Sequence, residues 1–146
     1  MDIVALEPSD IGWRIVFWEA KLVRNSEARA AGNNVPKVIV QCKNYKEWLT
    51  KKDNEYAVIN AYRETCQLLA NFHEAAEKAG MAIAPLGEGI RAVAGSPDVS
   101  LSVDDEVRLL VDNITEPDKV FRKNRHLDKL EKLRVQMVDN EADLVL

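Results

Sequence analysis

Hydrophobic and polar positions follow two different periods along the chain, and the changes of period divide it into elements. Residues 2–6 and 13–22 are rich in β-branched and aromatic side chains. Between them lies Glu7-Pro8-Ser9-Asp10-Ile11-Gly12, a run of turn formers. This pattern predicts an antiparallel hairpin. Residues 23–36 are polar and small, with Gly32, Asn33, Asn34 and Pro36, and predict a loop with a helical turn at most. From Pro36 onward the apolar positions Val38, Cys42, Tyr45, Trp48 and Leu49 share one helix face, with Pro36 placed for the first turn. Val38–Val40 alone would also suit a strand; the longer period favours helix. A second helix is expected over about 54–79, with Ile59, Tyr62, Cys66, Leu69, Phe72 and Ala76 inward and Gly80 as its stop. Beyond it the period fades over 81–103, where a short helix near Leu86–Ala94 ends at Gly95-Ser96-Pro97. Val107–Val111 suits a buried strand. Thr115-Glu116-Pro117-Asp118 has the form of a capping box opening a helix to about Leu133, and Val135–Val138 is a last short strand. No internal repeat or low-complexity tract interrupts this order. It predicts a mixed α/β domain, a mixed sheet flanked by helices.

Composition narrows the class. The 146 residues suit a single domain, with 47% hydrophobic and 30% charged residues, and disorder is disfavoured. No apolar run reaches the ~20 residues of a membrane helix, and no basic-then-apolar leader precedes the first strand, so a cytoplasmic protein without a membrane partner is expected. Two cysteines, Cys42 and Cys66, both on helix faces, predict buried thiols and are too few for a structural zinc site or an iron–sulfur cluster. A net charge of −4 does not advertise nucleic-acid binding, which would have to rest on local basic patches and a metal.

The chemistry concentrates at the open end of the hairpin. A turn near residues 10 and 11 sets opposite each other residues whose numbers sum to about 21, so Asp2 faces Glu19. Ile15, Phe17, Glu19 and Lys21 then share a face with Asp2, Val4 and Leu6. Opposed carboxylates repel unless something neutralises them. A hard divalent cation does so, and it also assists attack of water on a phosphoryl group. Lys21 stands next on the same face to orient that water or hold developing negative charge. Asp10 is the rival acid, but the extended strand puts it roughly 30 Å from Glu19. It fits the turn instead.

These residues resemble the PD-(D/E)XK nuclease superfamily, whose core carries an acid on one strand and Glu-x-Lys on its partner: here Asp2, then Glu19-Ala20-Lys21. Gln41 and Tyr45, four apart on the next helix, resemble the Gln-x-x-x-Tyr motif of the RecB-type branch. The resemblance covers roughly residues 2–50. It implies a restriction-endonuclease-like core and a nuclease hydrolysing DNA with Mg2+ or Mn2+. Asp2, Glu19 and the Ala20 carbonyl would hold the ion, Lys21 would assist water activation, and Gln41 and Tyr45 would steady the site. Members usually carry a helix before the acid-bearing strand, whereas Asp2 follows Met1 directly. The resemblance therefore implies a piece of a longer protein, or a partner element from another subunit in a homo-oligomer.

Several other groups have both a functional and an ordinary explanation. Arg24 and Arg29 suit phosphate contact or plain solvation. Lys119, Arg122, Lys123, Arg125, Lys129, Lys132 and Arg134 either track a nucleic-acid backbone or form a solvated helix face. His73 and His126 lack metal-ligand spacing, and Trp13, Trp18 and Trp48 suit core or interface positions. Beside the nuclease stand two other function classes: a non-catalytic nuclease-like domain that binds nucleic acid or assembles with a larger protein, and an oligomerisation module using a strand edge and the tryptophans.

Overall fold

Strand β1 (Ile3–Ser9) runs into β2 (Gly12–Leu22) through a turn at Asp10 and Ile11. A two-residue connection fixes the hairpin register. Glu7 and Arg14 accordingly approach to 3.8 Å across it. The computed structural model describes residues 1–115, 117–131, 133–140 and 143, without the side chain of Arg122. The remaining elements are a 3-10 turn (Ser26–Ala28), α1 (Lys37–Leu49), α2 (Lys52–Lys78), α3 (Glu88–Gly95), β3 (Ser100–Val103), β4 (Arg108–Asp112), α4 (Val120–Lys123), α5 (His126–Leu130) and β5 (Val135–Val138). The fold is mixed α/β, with strand order β1-β2-β4-β5 and β3 paired to β2.

Contacts group the chain into two compact units. The first holds Met1–Ala5, Val16–Trp48 and the chain from Asp105 onward. Here β4 lies parallel to β2, Glu19 beside Leu109 and Lys21 beside Val111, and β5 lies parallel to β4. Leu109, Leu110 and Val111 are all buried, as a strand covered on both faces requires. One face joins Val16 and Trp18 with Leu110, Val138 and Ile3. The other carries Phe17, Glu19 and Lys21, because successive side chains alternate. Helix α1 buries Val38, Cys42 and Leu49, and the buried Pro36 immediately precedes it. Trp48, expected inward, is exposed instead, so it lies off that buried stripe. Tyr45 is half-buried.

The second unit holds Leu6–Ile15 and Leu49–Asp104. Its 27-residue α2 packs on α3 and β3 through Cys66 and neighbours. Arg63 ties it further by donating to the Val99 carbonyl at 2.9 Å. Gly80, at φ +73°, closes α2: its N–H donates to Glu77 and that of Met81 to Ala76, satisfying carbonyls the helix leaves open. Leu69 and Phe72, expected inward, are exposed, since only the stripe through Ile59, Tyr62 and Cys66 faces the unit's interior. Strand β3 was not expected. Four residues with serine at alternate positions carry too weak a period, and pairing to β2 supplies what local sequence lacks. Gly12 makes that pairing feasible: its φ is +154°, and a Cβ there would sit 2.4 Å from the Ser100 carbonyl oxygen.

The helix expected from the capping box to about Leu133 is two short helices, broken at Asn124 and Arg125, where Arg125 takes φ 57°. Thr115 turns back to the Asp112 carboxylate, and Asp118 Oδ1 accepts from the Val120 N–H at 2.9 Å, so Asp118 opens α4 in place of the expected cap. Glu116 of that box lies outside the described residues. No helix of the described residues is long and apolar enough to cross a membrane.

Candidate metal centre

Glu19 is 1% exposed on an otherwise apolar stretch of β2, flanked across the ladder by buried Leu109. A carboxylate held this far from water must be matched by cations or donors. Its Oε1 takes two: Lys21 Nζ and Gln41 Nε2, each at 2.7 Å. Gln41 Nε2 also donates to the Tyr45 hydroxyl at 2.9 Å. Strand alternation therefore sets Glu19 and Lys21 on one face, and one helical turn on α1 sets Gln41 and Tyr45 over them. Four of the expected residues come together in a single hydrogen-bonded chain.

Glu19 Oε2 behaves differently. It is buried and accepts no hydrogen bond, and the nearest cationic group is the amino group of Met1 at 3.1 Å. That ammonium is the cation this oxygen meets, at the point where a metal ion would otherwise have to bind. Asp2 immediately precedes β1. Its N–H donates to the Trp18 carbonyl at 2.9 Å, and its exposed carboxylate accepts from the Ala20 N–H at 2.9 Å. Asp2 is thus bound to the residue between Glu19 and Lys21. Among the described residues, no three His, Cys, Asp or Glu side chains group to hold a metal; the donors expected from the sequence are the Asp2 and Glu19 carboxylates and the Ala20 carbonyl. Hard cations of the magnesium class accept that set, since they use few protein oxygens and retain water.

Lys21 is clamped from two sides. Glu27, on the 3-10 turn after β2, reaches its Nζ at 3.0 Å, and the Lys21 side chain is 11% exposed. Burial alone would lower its pKa, but the bonds to Glu19 and Glu27 outweigh this and hold it above the usual lysine range. The ammonium is therefore a fixed cation at neutral pH. Glu27 escaped the sequence reading because its segment lacks hydrophobic period; the one local signal is Asn25, whose side chain accepts from the Glu27 N–H at 2.8 Å. Cys42, beside Gln41 on α1, is pushed up to about 11, first by burial and then by the Glu19 charge, and stays a thiol.

The two expected phosphate contacts do not join the cluster. Arg24 donates to the Pro117 carbonyl at 3.0 Å. Arg29 donates to the Val23 carbonyl at 2.9 Å, pairs with Asp118 and lies over the Phe121 ring. Both tie the segment after β2 to the segment before α4. In the basic stretch, Lys129 donates to the Gly32 carbonyl, Arg125 pairs with Asp128 and Arg134 with Glu106. The Arg122 side chain and Lys132 lie outside the described residues. His73 approaches the Ala84 carbonyl at 3.0 Å, and His126 stacks near Phe121, its pKa lowered by burial and then by Arg29 and Lys129.

No protein-family model, curated protein or solved structure matches the chain.

Proposed function

We propose that this chain is a metal-dependent nuclease domain that hydrolyses DNA phosphodiester bonds, as its resemblance to the PD-(D/E)XK superfamily implies. The observation that carries the proposal is Glu19: a buried carboxylate bonded at Oε1 by Lys21 and Gln41, with Oε2 paired to the Met1 amino group at 3.1 Å. Asp2, Glu19 and the Ala20 carbonyl would hold Mg2+ or Mn2+. When bound, such a cation neutralises phosphoryl charge and makes water easier to deprotonate. Lys21 does not act as the base, because its ion pairs keep it protonated. Two of its three N–H groups meet Glu19 and Glu27, and the third is left to orient water or a phosphoryl oxygen. Gln41 and Tyr45 fix the Glu19 carboxylate so that little reorganisation accompanies the reaction.

A second reading rests on a specific observation: the Asp2 carboxylate is already satisfied by the Ala20 N–H, and Lys21 by two carboxylates. A charge-balanced cluster of this kind also suits a non-catalytic nuclease-like domain that binds nucleic acid or another protein. Incubation with labelled single- and double-stranded DNA and manganese separates the two. The nuclease reading expects cleavage that chelator abolishes and Lys21→Ala loses while the fold persists. Cleavage unchanged in Lys21→Ala, or none with any DNA form, counts against it.

A further inference from the structure

Helix α2 carries a second apolar stripe, on the side away from Cys66. Ala61, Thr65, Leu68, Phe72, Ala75 and Ala79 follow one another at alternating intervals of four and three residues, and all are exposed. Leu68 is 53% and Phe72 63% exposed, large values for such side chains. Intervals of three and four belong to the seam of two helices packed in a coiled coil, where the mean spacing is 3.5 residues. A helix packed only on its own unit needs the broader stripe that α2 already spends on α3 and β3.

The charges beside the seam indicate what fits it. Glu64 and Lys78 both flank the stripe on the same side and are exposed, Lys78 also pairing with Glu74 one turn back on its own helix. In an antiparallel pair of these helices whose facing residue numbers sum to about 140, Leu68 of each copy meets Phe72 of the other, and Thr65 meets Ala75. Ala61 and Ala79 then close the ends, allowing close approach. In that same register Glu64 lies near Lys78 of the second copy, twice by symmetry. An in-register parallel pair would leave Glu64 and Lys78 about 21 Å apart along the axis, with Lys78 keeping only its own-helix partner Glu74 and Glu64 gaining nothing from it. We infer that α2 is an antiparallel self-association surface and that its occupant is a second copy of this chain.

Sedimentation equilibrium of the whole chain, from micromolar to millimolar concentration, tests this. A reversible dimer is expected, with Phe72→Glu weakening it at least about tenfold. Leu68→Gln, a milder change, should weaken it less and guards against any loss of fold, which far-ultraviolet circular dichroism checks. Glu64→Lys and Lys78→Glu should each weaken the dimer by roughly threefold to tenfold, and the double exchange should restore it. A monomer at every concentration overturns the inference, as does a dimer indifferent to both Phe72→Glu and Leu68→Gln. A double exchange no tighter than the single ones overturns the antiparallel register.

Discussion

Replacing Glu19 by leucine removes the partner on which a nearly buried lysine depends. In the native chain Lys21 Nζ is shared by Glu19 at 2.7 Å and Glu27 at 3.0 Å, but Glu27 is far more exposed and screened by water. The leucine leaves an ammonium with one weak partner and strips Gln41 of its bond to Oε1. Removing one member of a buried ion pair costs about 3–5 kcal/mol. For a chain of this length that lowers the melting temperature by roughly 9–15 °C, at about 3 °C per kcal/mol. The double variant Glu19→Leu with Lys21→Met deletes both charges and keeps volume. It should recover most of the loss, since an apolar pair replaces a buried ionic one at little cost or a gain of about 1 kcal/mol. Urea denaturation followed by circular dichroism measures both. If the single variant loses less than about 1 kcal/mol, Glu19 is hydrated and the buried cluster does not exist. If the double variant is as unstable as the single one, the cost arises from packing and not from a stranded charge.

Three further outcomes follow from the same geometry. Lys21 is more basic folded than at its ordinary value of 10.5, so its stabilisation is complete below that pH and fades as pH rises through the folded value. Alkaline titration should therefore show a loss of stability above about pH 10.5 that Lys21→Met reduces; identical alkaline profiles would refute the pairing. Gly12→Ala forces a Cβ to 2.4 Å from the Ser100 oxygen at a φ that L residues avoid, so it should destabilise by about 2–4 kcal/mol and unprotect the β3 amides in hydrogen exchange. Arg29→Ala removes the Asp118 pair and the bond to Val23 and should cost about 2 kcal/mol; under the proposed nuclease function it should leave the salt slope of DNA binding unchanged. A slope reduced by about one would mean that Arg29 meets phosphate after all.

The elements readable from sequence were those whose own residues specify them. Val135–Val138 is a strand at both expected bounds, α2 ends at Gly80 as its glycine requires, and the hairpin turn sits at Asp10 and Ile11. What escaped depends on partners distant in sequence. Strand β3 exists through pairing with Gly12–Ile15, and the break at Arg125 depends on how two short helices dock, not on helix propensity. Phe72 illustrates the limit of periodicity: a long helix can carry two apolar stripes, and the pattern alone does not say which one faces inward. In the candidate site, strand alternation pairs Glu19 with Lys21 and one helical turn pairs Gln41 with Tyr45, but the contact joining the two pairs spans 22 residues and was suggested only by the family resemblance. Arg24 and Arg29 were not legible, since their partners Pro117 and Asp118 lie far along the chain. Glu27 was invisible for a different reason: its partner Lys21 is only six residues away, but the segment has no hydrophobic period to show that the turn after β2 folds back.

The most direct measurement is an anomalous-scattering map from crystals soaked in manganese. The proposal expects one ion bridging the carboxylates of Asp2 and Glu19, with the Ala20 carbonyl within about 2–2.4 Å of it. The Asp2 oxygen would have turned from the Ala20 N–H to meet the ion. Crystals that take up manganese elsewhere, or show Glu19 holding only Lys21 and Gln41 at saturating metal, would contradict it.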